Sequence, residues 1–149
     1  MKYLNFFALF FISAVCVFAQ TDARKVEYST PVSKAIKASP AYAALILHRT
    51  VLRAELEEML VTYTEDFPKV QDARYEIDLI NYDLTRLLET KVTDSCKLSA
   101  SLGELMLKKT AVAMELRELK KKYNEDHPEV LRAKRKLEIF EKAVAEILP

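Results

Sequence analysis

The chain repeats itself at a spacing of 60 residues. Tyr63-Thr64-Glu65-Asp66-Phe67-Pro68-Lys69-Val70 returns as Tyr123-Asn124-Glu125-Asp126-His127-Pro128-Glu129-Val130. The same register pairs Leu45 with Leu105, Thr50 with Thr110, Leu56 with Leu116 and Ala73 with Ala133. Of the 48 pairs between 41–88 and 101–148, 13 are identical. A duplicated supersecondary unit constrains architecture strongly, because both copies must reach the same local structure. It constrains chemistry far less, and the repeat spells out no reaction.

Apolar spacing within each copy is helical. The first copy reads Leu45, Leu52, Leu56, Met59 and Tyr63, then Val70, Ala73, Ile77, Ile80, Leu84 and Leu87. The second reads Leu98, Leu102, Leu105, Lys109, Val112, Leu116, Leu119 and Tyr123, then Val130, Ala133, Leu137, Phe140, Val144 and Ile147. Alternating steps of three and four residues are the seam of helices crossing at shallow angles, and only Lys109 interrupts its apolar character. Ile46, Leu47, Leu60, Leu79 and Leu88 widen the stripe, as a helix touching two neighbours requires. The expected fold is therefore all-α. It consists of two tandem antiparallel helical hairpins, four long helices in a coiled-coil-like bundle, spanning 39–92 and 93–149.

Proline punctuates this pattern. Ser39-Pro40 predicts an N-cap followed by Pro at the first helical position. Pro68 and Pro128 lack an N–H and disfavour helical geometry in the residue before, so each ends one helix and opens another. Asp66 and Asp126, or the residues after them, are the expected caps. Tyr63 and Tyr123 are expected to pack beneath these turns. The residues Tyr63, Asp66, Pro68, Tyr123, Asp126, His127 and Pro128 thus mark two chain reversals, with a Pro kink in one long helix as the alternative. The third helix has two candidate starts, at Thr93-Asp94-Ser95 or at the capping box Ser101-Leu102-Gly103-Glu104.

Residues 1–19 read as a secretory signal peptide. Lys2 precedes the apolar run Leu4–Phe18, and Val17-Phe18-Ala19 offers a cleavage site. Residues 20–38 form a polar, mixed-charge leader, expected to be flexible apart from a short helical turn at 32–37. The location expected is exported, periplasmic or extracellular. The chain has one glycine and no Trp, which disfavours phosphate loops and hairpin-rich β folds. Cys96 is the single thiol after cleavage, so it is either a buried small residue or an interchain bridge.

The stretch Leu116-Arg-Glu-Leu119-Lys-Lys-Lys-Tyr123-Asn-Glu-Asp-His127-Pro128-Glu-Val130, continuing to Leu137, resembles the periplasmic coiled-coil segment of bacterial polysaccharide chain-length determinant proteins. In that family a Tyr, an acidic residue and His-Pro precede heptad-spaced aliphatics. The resemblance covers about 22 residues and recurs with Phe67 in place of His127. No second transmembrane helix, membrane-proximal domain or P-loop kinase accompanies it. It implies a helix-turn-helix element facing the cell envelope, and neither control of polysaccharide length nor any functional residue carries over.

Charge and chemistry narrow the function. The net charge is +1, with no dominating basic field, which argues against nucleic acid as a partner. The halves differ: residues 39–94 hold six Lys/Arg and eleven Asp/Glu, whereas 101–149 hold eleven and nine. That asymmetry would favour contact between the units, within one chain or between two. Lys120, Lys121, Lys122, Arg132, Lys134, Arg135 and Lys136 flank the second turn, either as a weak contact for an anionic envelope surface or as a solvated face. His127 beside Glu125, Asp126 and Glu129 is a poor metal set, and His48 is a boundary residue. No nucleophile–base pair appears, the Glu groups read as polar helix faces, and no cofactor is expected. The function expected is an exported, non-catalytic helical scaffold or protein-interaction module, binding another protein or itself through helical faces. The alternative is a periplasmic holdase-type chaperone with a client groove between hairpins; an envelope-stress or metal sensor would need a ligand cluster that the sequence lacks.

Overall fold

In the computed structural model, residues 31–90 and 97–148 are described. These form helices joined by short turns, with no strand among the described residues. Five helices appear in order: α1 (Pro31–Lys37), α2 (Pro40–Thr62), α3 (Pro68–Glu89), α4 (Ala100–Lys122) and α5 (Pro128–Ile147). The all-α class is as expected. Four of the five are long, and the short turn expected at the end of the leader is α1: Pro31 opens it, and Ile36 enters the core against α2 and α3. The expected signal peptide, the rest of the leader, the Thr93-Asp94-Ser95 start and Cys96 lie outside the described residues.

Helix starts follow local capping chemistry. Ser39 Oγ accepts from the Tyr42 N–H at 3.3 Å, and Pro40 occupies the first turn, where a missing N–H goes unused. The cap of α4 is neither expected site. Ser99 fills it, accepting from the Leu102 N–H at 3.3 Å, and this places Ser101 and Gly103 inside the first turn. At the reversals the cap is the residue after Asp66 or Asp126, namely Phe67 or His127.

The chain reverses at both prolines. His48 of α2 meets Glu76 of α3 at 3.1 Å, which only an antiparallel return allows. α2 packs along both α3 and α4, and α4 along α5. The starts of α2 and α4 sit together, with the Ala41 N–H donating to Leu98 O at 3.2 Å. Gly103 makes this approach feasible: a Cβ there would meet Ala44 Cβ at 2.9 Å and Ala41 Cα at 3.1 Å. α2 and α4 therefore run parallel, α3 runs against both, and both turns lie at the far end.

The core joins Leu45, Val70, Ile80, Leu87, Leu102 and Met106, with Val144 and Leu148 closing its base. Each fully buried aliphatic contributes roughly 1.5–3 kcal/mol from removal of apolar surface from water. Val112, Val130 and Ala133 are also buried, but outside that cluster, toward the turn end of α4 and α5.

Candidate functional site

The two turns repeat the same backbone hydrogen bonds. Tyr63 N–H donates to Met59 O and Phe67 N–H to Thr64 O; Tyr123 N–H and His127 N–H repeat this with Leu119 O and Asn124 O. The tyrosines do not pack beneath the turns: Tyr63 and Tyr123 are 46% and 44% exposed. Each instead stacks on the ring preceding the proline, Tyr63 on Phe67 at 4.1 Å and Tyr123 on His127 at 4.0 Å. A flat ring four residues on explains why Phe and His interchange between the copies. His127 does one thing more, since its Nδ1 accepts from the Glu129 N–H at 3.2 Å while Phe67 caps nothing. Asp66 and Asp126 stay exposed.

The basic residues around the second turn are mostly engaged within the chain. Lys120 and Lys134 both grip Glu125, Lys121 bridges Asp72 and Glu118, Arg132 holds Glu129, and Lys136 holds Glu115. Among the described residues only Lys122 and Arg135 of that set make no such contact. The two amines hold the Glu125 carboxyl below its ordinary range, and Asp72 with Glu118 raises the Lys121 amine. Such exposed pairs are individually weak, but they leave this end close to neutral.

Polar contacts that sequence reasoning missed converge on α3. Its Asn81 accepts from Arg49 of α2 at 2.9 Å. Its Asp72 accepts from Arg117 of α4 at 2.9 Å, and the same guanidinium lies 4.3 Å from the Tyr75 ring centre. Burial alone would raise the Asp72 carboxyl, yet Lys121 and Arg117 together bring it below its usual value. Deeper in, Lys109 Nζ donates to Asp83, whose side chain is fully buried. Asp83 Oδ2 has no hydrogen-bond partner among the described residues. Desolvation there outweighs the attraction of Lys109 and raises the Asp83 carboxyl above the normal range. Lys109, the single break in the third seam, was the available signal; a buried cation calls for an anion on a facing helix.

Repeat symmetry relates these contacts. Lys109 occupies the position of Arg49, 60 residues on. Both cations reach α3, one from its own unit and one from the other. In α5 the equivalents of Asn81 and Asp83 are Glu141 and Ala143, so α5 offers no matching buried carboxylate.

The surface carries a second unforeseen feature. Leu47, expected to widen the apolar stripe, is 67% exposed, and Val51 and Val61 follow on the same outward face of α2, Val61 at 87%. Beside them Glu55, Glu57 and Glu58 make no ion pair among the described residues. An open groove of about 420 Å³ borders this face, lined by Arg53, Glu57, Arg74 and Asp78. Another of about 450 Å³ lies between α3 and α4, lined by Tyr75, Leu116, Arg117, Lys120 and Lys121.

Among the described residues no group of three or more His, Cys, Asp or Glu side chains is placed to hold a metal, and no helix is long and apolar enough to cross a membrane. Compared with protein-family models, curated proteins and solved structures, the chain has no match.

Proposed function

We propose that this chain is a non-catalytic helical interaction module, exported to the cell envelope, in which the 60-residue repeat supplies two tandem hairpins of a coiled-coil-like bundle. The observation that carries the reading is the outward face of α2. It presents Leu47, Val51 and Val61 to solvent while Leu45, Leu52 and Leu56 fill the opposite face. A helix already packed on one side that keeps exposed aliphatics among glutamates on the other has a surface for a second helix. The holdase alternative draws less support, because charged side chains stand in both grooves, Arg53, Glu57, Arg74 and Asp78 in one and Arg117, Lys120 and Lys121 in the other. The envelope setting rests on the apolar N-terminal run and on the resemblance at Tyr123–His127–Pro128.

Site-specific photocrosslinking tests the proposal. A photoreactive residue at Leu47 or Val61 of the full chain, expressed in the host cell, is expected to give protein adducts. The same residue at exposed Lys97, at the base of α4, is the control and is expected to give none. Equal labelling from all three positions, or none from α2, would remove the basis of this function.

A further inference from the structure

We propose that the second turn is a proton-operated catch on the start of α5, and that the first turn, which repeats its backbone hydrogen bonds, lacks one. The difference is a single ring. The Glu129 N–H donates to His127 Nδ1 at 3.2 Å, and an N–H can only donate, so that nitrogen carries a lone pair. The capping ring is therefore the neutral imidazole with its hydrogen on Nε2. A second proton would sit on Nδ1 and turn the acceptor into a donor facing the Glu129 N–H. The cap is then lost. Phe67, at the equivalent place, makes no side-chain cap and has no proton to gain.

The surrounding groups decide where the charged ring turns. Glu129 is held by Arg132 of α5, and Glu125 by Lys120 of α4 and Lys134 of α5. α4 also brings Lys121, committed to Asp72 and Glu118, and Lys122 beside it. Asp126 is exposed and makes no ion pair among the described residues. An imidazolium at this position meets the positive end of the α5 dipole, which repels it. Charge thus moves the ring away from the first amides of α5 and toward Asp126. Tyr123, stacked on the ring at 4.0 Å, offers a face that attracts a cation as well, so the stack does not oppose the change.

The catch lies where the hairpin can loosen alone. Val70, just after the first turn, belongs to the main core, whereas Val130 and Ala133, just after the second, are buried outside it. The start of α3 is thus anchored by more than its cap. The start of α5, packed along α4, depends on its cap more heavily. Acid is therefore expected to fray the first turn of α5 while the Leu45, Ile80 and Leu102 core stays closed.

The test is NMR on the full chain between about pH 8 and 5, the span in which histidine ordinarily changes charge. At the upper end the His127 ring should show a bare Nδ1 and a protonated Nε2. The Leu131 N–H donates to His127 O at 3.0 Å and reports on the first turn of α5. As the ring charges, its protection from hydrogen exchange should fall about fivefold, the equilibrium factor of one lost cap. Gln71, whose N–H donates to Phe67 O at 3.1 Å, should keep its protection. His127→Asn supplies an acceptor that does not titrate and should make Leu131 protection independent of pH. A neutral ring protonated on Nδ1, equal changes at Leu131 and Gln71, or an acid response that survives His127→Asn would overturn the inference.

Discussion

The two units share their turns and differ in how their second helix is held. In the first, α3 receives Arg49 and His48 from α2 on one side and Lys109, Arg117 and Lys121 from α4 on the other. In the second, α5 lies along α4, tied by Lys136 to Glu115 and by Arg86 of α3 donating to Leu148 O at 3.3 Å. A cation recurs at 49 and 109, but α5 has no carboxylate to receive the second. Lys109 instead reaches across to Asp83 of the first unit, and α3 is the shared polar element.

The largest test of that difference is at Lys109. Lys109→Met leaves the Asp83 carboxylate buried without its partner and should lower stability by about 3–5 kcal/mol in urea unfolding. Asp83→Leu combined with Lys109→Met should return stability to the wild-type value or above, because neither charge then needs desolvation. A single variant as stable as wild type would show that the pair does not join the units.

Gly103→Ala comes next. Despite the better helix propensity of Ala, its Cβ collides with Ala44 and Ala41, and a loss of about 1–3 kcal/mol is expected. At the repeat-equivalent Ala43, which is exposed, Ala43→Gly should cost only about 1 kcal/mol, the propensity difference. A gain in stability from Gly103→Ala would mean that α2 and α4 are not in close contact.

The turns offer a smaller comparison. His127→Phe keeps a ring to stack on Tyr123 but removes the cap on Glu129 N–H, so about 1 kcal/mol should be lost. Phe67→His, judged by the same unfolding curves, should lose less, since the new ring can supply the cap its turn lacks. The reverse ranking would show that stacking and packing, not capping, separates the turns.

The smallest effect is acid-dependent. The folded Asp72 carboxyl lies below its ordinary value, so its contribution is present above pH 3.8 and fades as pH falls below that value. Asp83 has the opposite sign: its raised folded value means that protonation favours the fold, and its ionisation opposes folding as pH rises through that value. Asp72→Asn should flatten the acid limb of the stability profile by less than about 1 kcal/mol, since Asp72 is partly solvated. An unchanged acid limb would place its origin in other carboxylates.

Much of this was legible along the chain. Ser39-Pro40, Pro68 and Pro128 mark helix starts because capping and the missing proline N–H act within a few residues. Val70, Ile77, Ile80, Leu84 and Leu87 are all buried, as their spacing required. The errors arose where several local solutions compete. Ser99 and Ser101 both fit an N-cap, and only the docking of Leu98 beside Ala41 selects the former. Leu47 reads as widening the buried stripe, yet its direction on α2 points away from every packed neighbour. The ion pairs of the basic run near the second turn were not legible, because Asp72, Glu115 and Glu125 reach it only in the folded chain.

The sequence by itself determined the helical class, the helix breaks at Pro68 and Pro128 and the spacing of the apolar stripes, because each depends on residues within one or two turns of one another. Tertiary structure decided that α3 stands between α2 and α4, that Lys109 crosses to Asp83, that Gly103 admits α2, and that an apolar line on α2 faces outward. Those outcomes depend on residues 26 or more positions apart, whose meeting is fixed only when the helices share one core.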